Sequence, residues 1–265
     1  MRYFPQLSTG AMSCFPLMRS RRTRKVMNEL WDGRRMVHVS GEPEVVEWEL
    51  RFEGLSDEER AAVEEIFEAC DGQWGTFAFL DPWSNLLKFS GDLTKEVWHR
   101  DPMVRVAGGV PDPCGGTAAF RITNTGATEA GVYQVLPVPE WFVYAWSVSM
   151  RSPGTATVVL RGLGGGGCSE RRVVVGDEWG REWVRVDLGG SGEEVRFGIW
   201  LEPGGVLEVY GPQVEAQPFP SAYKQTGSVS GVYLWCRFTG DELAWVADGP
   251  GAHSGTVRIW TRVWE

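Results

Sequence analysis

Histidine is scarce in this chain: His38, His99 and His253 are the three in 265 residues. None stands in an HExxH or other metal-like spacing, so a zinc-hydrolase reading has no starting point, and each is expected on the surface or in a loop. Cysteine is sparse as well. Cys14, Cys70, Cys114, Cys168 and Cys236 are odd in number and far apart. That excludes a CxxC zinc site and suits free thiols in a reducing cytoplasm. Positive charge is short: 26 Lys and Arg against 35 Asp and Glu leave a net charge of -9, which argues against a general nucleic-acid binder. No apolar run approaches the roughly 18 residues of a membrane span. Met1 to Pro5 lacks the apolar core of a secretory signal.

Signatures of catalysis are missing too. There is no Gly-x-Ser-x-Gly elbow. The glycine run Gly162–Gly167 lacks a Gly-Lys-Ser/Thr ending and reads as a flexible loop tip, not a phosphate cradle. Asp177-Glu178 and Glu193-Glu194 are adjacent in sequence, so on strands they point to opposite faces and cannot converge as a glycosidase acid and base.

What the chain does have is glycine (34), proline (15) and tryptophan (14), with Val, Thr and aromatic residues in its periodic stretches. Together with 43% hydrophobic residues, this is the profile of a turn-rich, mainly β protein with real cores. In the first eighty residues, Asp32-Gly33 marks a hairpin. Val46, Trp48, Leu50 and Phe52 alternate with Glu47, Glu49 and Arg51 as a half-buried strand. One helix stands out. Ser56 and Glu59 form a capping box; Val63, Ile66, Phe67 and Cys70 make one apolar stripe; Asp71-Gly72 ends it.

From Leu86 to Tyr223 the texture changes to short alternating runs. Eight strands are expected, at 118–123, 132–138, 142–150, 157–161, 171–175, 183–188, 195–201 and 206–210, the pattern of a sandwich or jelly roll. The tail then alternates again, with Val257, Ile259 and Val263 on one face and Arg258, Trp260, Arg262 and Trp264 on the other. That second face is either an interface with another chain or is covered by this one. The basic stretch from Arg19 to Lys25, with Arg21, Arg22 and Arg24, reads as a solvated or partner-facing strand.

Several of these segments resemble a known family in their order. Phe4-Pro5-Gln6-Leu7-Ser8-Thr9-Gly10-Ala11, the Asp32-Gly33 turn, the Trp48-x-Leu50 strand, Gly54-Leu55-Ser56-Asp57-Glu58-Glu59, the helix and Gly75-Thr76-Phe77-Ala78-Phe79-Leu80-Asp81-Pro82 resemble the hub domain of tailed-phage distal tail proteins. The closing elements of that family resemble Arg237-Phe238-Thr239-Gly240-Asp241-Glu242-Leu243 and Val257-Arg258-Ile259, which lie far downstream. Asp81-Pro82 is therefore read as an insertion point. Asn85-Leu86-Leu87, Ser90, Asp92-Leu93 and, later, Tyr210-Gly211-Pro212-Gln213-Val214-Glu215 with Ser221-Ala222-Tyr223-Lys224-Gln225-Thr226 resemble the opening and closing of a jelly-roll module common in phage tail proteins.

The fold expected is mainly β: a split β-sandwich hub with one helix over 1–84 and 227–265, and a jelly roll inserted over 85–226. The resemblance implies a non-enzymatic tail-tip component in a virion tail, assembled in the host cytoplasm as a ring of six and contacting tail-tube and tail-tip proteins. Arg21, Arg22, Arg24, Arg258, Trp260, Arg262 and Trp264 are candidates for the ring interface. The insert is a candidate glycan binder, with Trp179 first and Trp141 second as exposed rings, while Trp146 and Trp183 are expected in the core. No cofactor is expected apart from calcium at Asp112 and Asp92. The alternative is a soluble carbohydrate-binding protein or a glycan hydrolase with an unrecognised site.

Overall fold

The computed structural model describes residues 1–23, 25–39 and 43–263. In chain order its elements are β1 (Cys14–Arg22), β2 (Lys25–Glu29), β3 (Arg35–Val39), β4 (Glu44–Leu55), α1 (Asp57–Ala69), β5 (Phe77–Leu80), β6 (His99–Arg100), β7 (Val104–Val110), β8 (Ala119–Asn124) and β9 (Ala130–Leu136). They continue with β10 (Val143–Arg151), β11 (Ala156–Gly164), β12 (Gly167–Val175), β13 (Gly180–Asp187), β14 (Val195–Leu201), β15 (Val206–Glu215), β16 (Val232–Phe238), β17 (Trp245–Gly249) and β18 (Ala252–Val263). The chain is mainly β with one helix among the described residues, and all eight strands expected between 118 and 210 are present. The short β6 and the Gly-interrupted β7 escaped the periodicity.

Two compact units divide the chain. The first comprises Met1–Pro5, Ser13–Phe79 and Tyr233–Glu265; the second comprises Gln6–Met12 and Leu80–Val232. In the first unit a six-stranded sheet runs β1-β4-β18-β16-β5, with β17 on β18. Strand β18 pairs with β4 from His253↔Leu55 to Val263↔Glu44, so the last strand of the chain lies at the centre of a sheet begun some 200 residues earlier. Val46, Trp48, Leu50 and Phe52 turn to the core with Val257 and Ile259. Phe4, Phe77, Phe79 and Phe238 close around them, with ring centroids 4.8–6.5 Å apart.

Helix α1 buries Val63 and Ile66 and sets Phe67 5.0 Å from the Phe238 ring. Its N-terminus carries both bonds of the capping box, Glu59 N–H to Ser56 Oγ (3.1 Å) and Ser56 N–H to the Glu59 carboxylate (3.0 Å). Left-handed backbone begins at Asp71, one residue before Gly72, and ends the helix.

The second unit is a sandwich of two antiparallel five-stranded sheets, β13-β10-β15-β8-β7 (sheet A) and β12-β11-β14-β9-β6 (sheet B). Tyr144, Trp146, Val148, Phe197, Ile199, Leu160 and Leu207 fill the space between them, all fully buried. The Trp146 indole N–H donates to the Gly198 carbonyl at 3.0 Å, so its one polar atom is satisfied.

The opening and closing motifs of the module meet here. Asn85 Nδ2 donates to the Pro212 and Lys224 carbonyls, and its Oδ1 accepts from Leu87 and Val214 N–H. Ser90 and Thr226 bond reciprocally. Gln213 spans to Ser221, Ala222 and Lys224, while the buried Glu215 accepts from Ser221 and Lys224. Residues 217–226 are thereby latched over one end of the outer face of sheet A.

Candidate glycan-binding face

Alternation along β10 decides what sheet A offers to solvent. Tyr144, Trp146, Val148 and Met150 point inward, so Ser147, Ser149 and Arg151 point outward. Register then builds rows across the sheet: Trp183–Ser147–Gln213, Arg181–Ser149–Tyr210, and Arg151–Glu208–Arg121. The first row lies under the latch, where Phe219 stands edge-on to Trp183 at 5.9 Å. Trp183 is therefore on the outer face and not in the core, a correction to the sequence reading. Periodicity marks which residues share a face but not which face is inside.

The third row is open and charged. Glu208 is only 3% exposed. Its Oε1 accepts from Arg121 Nη2 (2.6 Å) and Nε (3.2 Å), and its Oε2 accepts from Arg151 Nε (2.7 Å). Burial opposes ionisation, but these bonds outweigh it and hold the Glu208 carboxyl below its ordinary value. Trp179, in the turn between β12 and β13, reaches this row. Its ring lies 5.0 Å from the Arg151 guanidinium, so one face of the indole is occupied by an arginine.

In the middle row Arg181 Nη2 donates to Ser147 Oγ at 2.8 Å, and burial pushes its guanidinium below the usual value. Tyr210 packs edge-on to Tyr223 at 5.4 Å, and its hydroxyl accepts from the Cys114 thiol at 3.8 Å. Burial and then that bond push the Tyr210 phenol up to about 12, so it is a neutral hydroxyl throughout the ordinary pH range.

Trp141 is half exposed, at 46%, and sits before the first residue of β10. Trp179 precedes Gly180, which faces Met150 near the last residue of β10. The two rings are separated by the length of the strand, roughly 25 Å, and do not form one site.

The glycine run is a cradle after all, with an occupant from the chain itself. Gly165 and Gly166 N–H donate to the two carboxylate oxygens of Glu140, which is 2% exposed. A Cβ at Gly164, Gly166, Gly190 or Gly192 would come within 3.0 Å of that carboxylate. The run is thus a fixed hairpin turn, not a loose tip.

Asp112 accepts from Cys114, Gly116 and Ala118 N–H, and Asp92 accepts from Thr94 N–H and Oγ1. These carboxylates staple their own loops. Among the described residues no three His, Cys, Asp or Glu side chains are grouped as a metal ion requires.

In the first unit, Arg22 pairs with Glu47 and Arg21 with Glu44. Adjacent on β1, the two arginines face opposite sides of the sheet. Arg258 pairs with Glu49 at 3.0 Å, and Arg262 lies over the Trp260 ring at 5.8 Å. Arg22, Glu47, Glu49, Arg258, Trp260 and Arg262 share one face by register. Arg24 and Trp264 lie outside the described residues. The sequence reading missed Trp235, which is 66% exposed on β16, and Trp31, 98% exposed at the tip of the β2–β3 hairpin.

No family model matches the chain, and no curated protein matches it. Among solved structures, TmCBM61 in complex with β-1,4-galactotriose is 16% identical over 49% of this chain and 97% of its own, with a TM-score of 0.38. The CBM22-1 xylan-binding domain of Paenibacillus barcinonensis Xyn10C is 16% identical over 52% and 96%, with a TM-score of 0.40. The enzymatically active domain of bacteriophage CBA120 tailspike protein 4 is 12% identical over 52% of this chain but only 22% of its own, also at 0.40. These scores are too low to carry a function across.

Proposed function

We propose that the second unit binds carbohydrate on the outer face of sheet A, and that it does so without catalysis. The observation that carries this is the open row Arg151–Glu208–Arg121 set between Trp179 and Tyr210. Fixed polar groups beside partly exposed rings on a rigid sheet are what a sugar ring needs: an apolar flank and directed hydrogen bonds at its hydroxyls. Trp179 holds this role jointly with Arg151, and Tyr210 supplies the second ring.

Of the carboxylates at this end of the sheet, the two built into its hydrogen-bond network, Glu208 and Asp112, are held below the ordinary range. Glu208 is held by its arginines against the cost of burial, and Asp112 first by the Ala118 N–H. A glycosidase acid needs a raised value, so the chemistry favours binding over hydrolysis. The test is a glycan array on the full chain, followed by calorimetry on whatever it retains. Binding should fall at least tenfold in Tyr210→Ala and stay unchanged in Trp141→Ala. An array with no retained glycan, or a loss confined to Trp141→Ala, would overturn the reading.

A second reading concerns the first unit, and a specific observation favours it. Met18 and Trp235 are exposed there, and by register and alternation they share the sheet face of Arg22, Arg258, Trp260 and Arg262. We propose this unit as the assembly part of a phage-type tail tip, a ring of copies meeting tail-tube and tail-tip proteins in a virion, with the Arg22/Arg258/Trp260/Arg262 face contributing. Light scattering of the parent and of Trp235→Ser tests it. A ring that persists unchanged in Trp235→Ser and in an Arg258→Glu variant would remove that face from the interface.

A further inference from the structure

The arginines of the open row are arranged more narrowly than sugar binding in general requires. Glu208 fixes Arg151 through Nε alone, at 2.7 Å. The flat guanidinium is held from a second side by the Trp179 ring. Its two terminal nitrogens have no partner among the described residues, and the side chain is 29% exposed. Arg121 is bound through Nε and Nη2 to the other oxygen of Glu208, which leaves its Nη1 unpartnered among the described residues. Both forks are therefore positioned before any ligand arrives, and one buried carboxylate balances two cations. Asp177 and Glu178, in the turn beside Trp179, are exposed, so solvent screens their charge, and the Asp112 carboxylate is taken up by the Cys114, Gly116 and Ala118 N–H groups of its own loop.

We infer that this site, if it binds sugar as proposed above, selects an acidic saccharide whose carboxylate is taken by the Arg151 fork, with Arg121 assisting. A guanidinium offers two parallel N–H donors that match the two oxygens of a carboxylate, whereas a neutral hydroxyl uses only one of them. Stacking on Trp179 and the Nε bond remove in advance the rotamer freedom that an exposed arginine would lose on binding. The class is a uronic- or sialic-acid sugar, with the ring set toward Tyr210 and Ser149.

The experiment is calorimetry on the full chain with matched probes. One pair is an oligogalacturonate and the same oligosaccharide with its carboxylates reduced to primary alcohols; the other is sialyllactose and lactose. For at least one pair the acidic member should bind about tenfold or more tightly, and this margin should shrink as salt is raised. Arg151→Lys keeps the charge but loses the fork, and should abolish most of the margin. Should that variant unfold, Arg121→Lys on the more exposed partner should reduce the margin in the same direction. Neutral members binding as well as acidic ones would overturn the inference and leave sugar binding intact. Failure of every probe, together with an empty glycan array, would overturn both. A margin unchanged in both lysine variants would place the carboxylate elsewhere and refute the assignment to this row.

Discussion

The Glu140 cradle permits a prediction that separates a designed contact from a tolerated one. Gly190 has ordinary backbone geometry, so alanine there meets no conformational objection, and on chain entropy alone it would stabilise by about 0.4–1 kcal/mol. The structure reverses that sign. A Cβ at Gly190 would overlap the Glu140 carboxylate and crowd the Gly166 backbone. The carboxylate sits at the end of a flexible side chain, but it can yield only by giving up the Gly165 and Gly166 N–H bonds. Hydrogen bonds to a charged group contribute roughly 1.5–3 kcal/mol, and overpacking costs about 1–3 kcal/mol. Gly190→Ala should therefore lose about 1–3 kcal/mol, a drop in Tm of about 2–4 °C per kcal/mol for a unit of this size. Adding Glu140→Ala removes the closer of the two obstacles and leaves the Gly166 backbone, so the double variant should lose less than the sum of the two singles by about 1 kcal/mol. Urea unfolding of the four proteins of this cycle measures the coupling. A Gly190→Ala variant as stable as the parent, or strict additivity, would refute the idea that these glycines are there to admit the carboxylate.

Two further outcomes follow from the geometry. Glu208 has a folded pKa held below that of the unfolded chain, so its contribution is present above about pH 4.3 and is lost as pH falls through the folded value; Glu208→Gln should flatten the acid side of the stability profile measured by thermal melts between pH 2 and 6. Ile259, fully buried on β18 opposite Trp48 and Phe238, should cost about 2–5 kcal/mol as Ile259→Ala, read by urea unfolding with Trp fluorescence.

The parts of this protein set by local chemistry were legible from the residues alone. The capping box at Ser56 and Glu59 is a contact over three residues, and it forms. The eight alternating runs between 118 and 210 are strands because a period of two has one conformational solution. That Val257 and Ile259 share a buried face could be read from the tail itself. Tertiary structure alone decided which face of a strand is inside. It put Trp146 in the core and Trp183, from an equally apolar-looking strand, on the outer face under Phe219. It also supplied an occupant for Gly162–Gly167, because Glu140 is more than twenty residues away and no spacing rule joins them. Finally, it turned Trp179 from an isolated exposed ring into the support of Arg151. That pairing depends on the antiparallel register of β10 and β13, in which Gly180 faces Met150 and brings Trp179 across from Arg151, a contact between residues whose sequence separation carries no periodic signal.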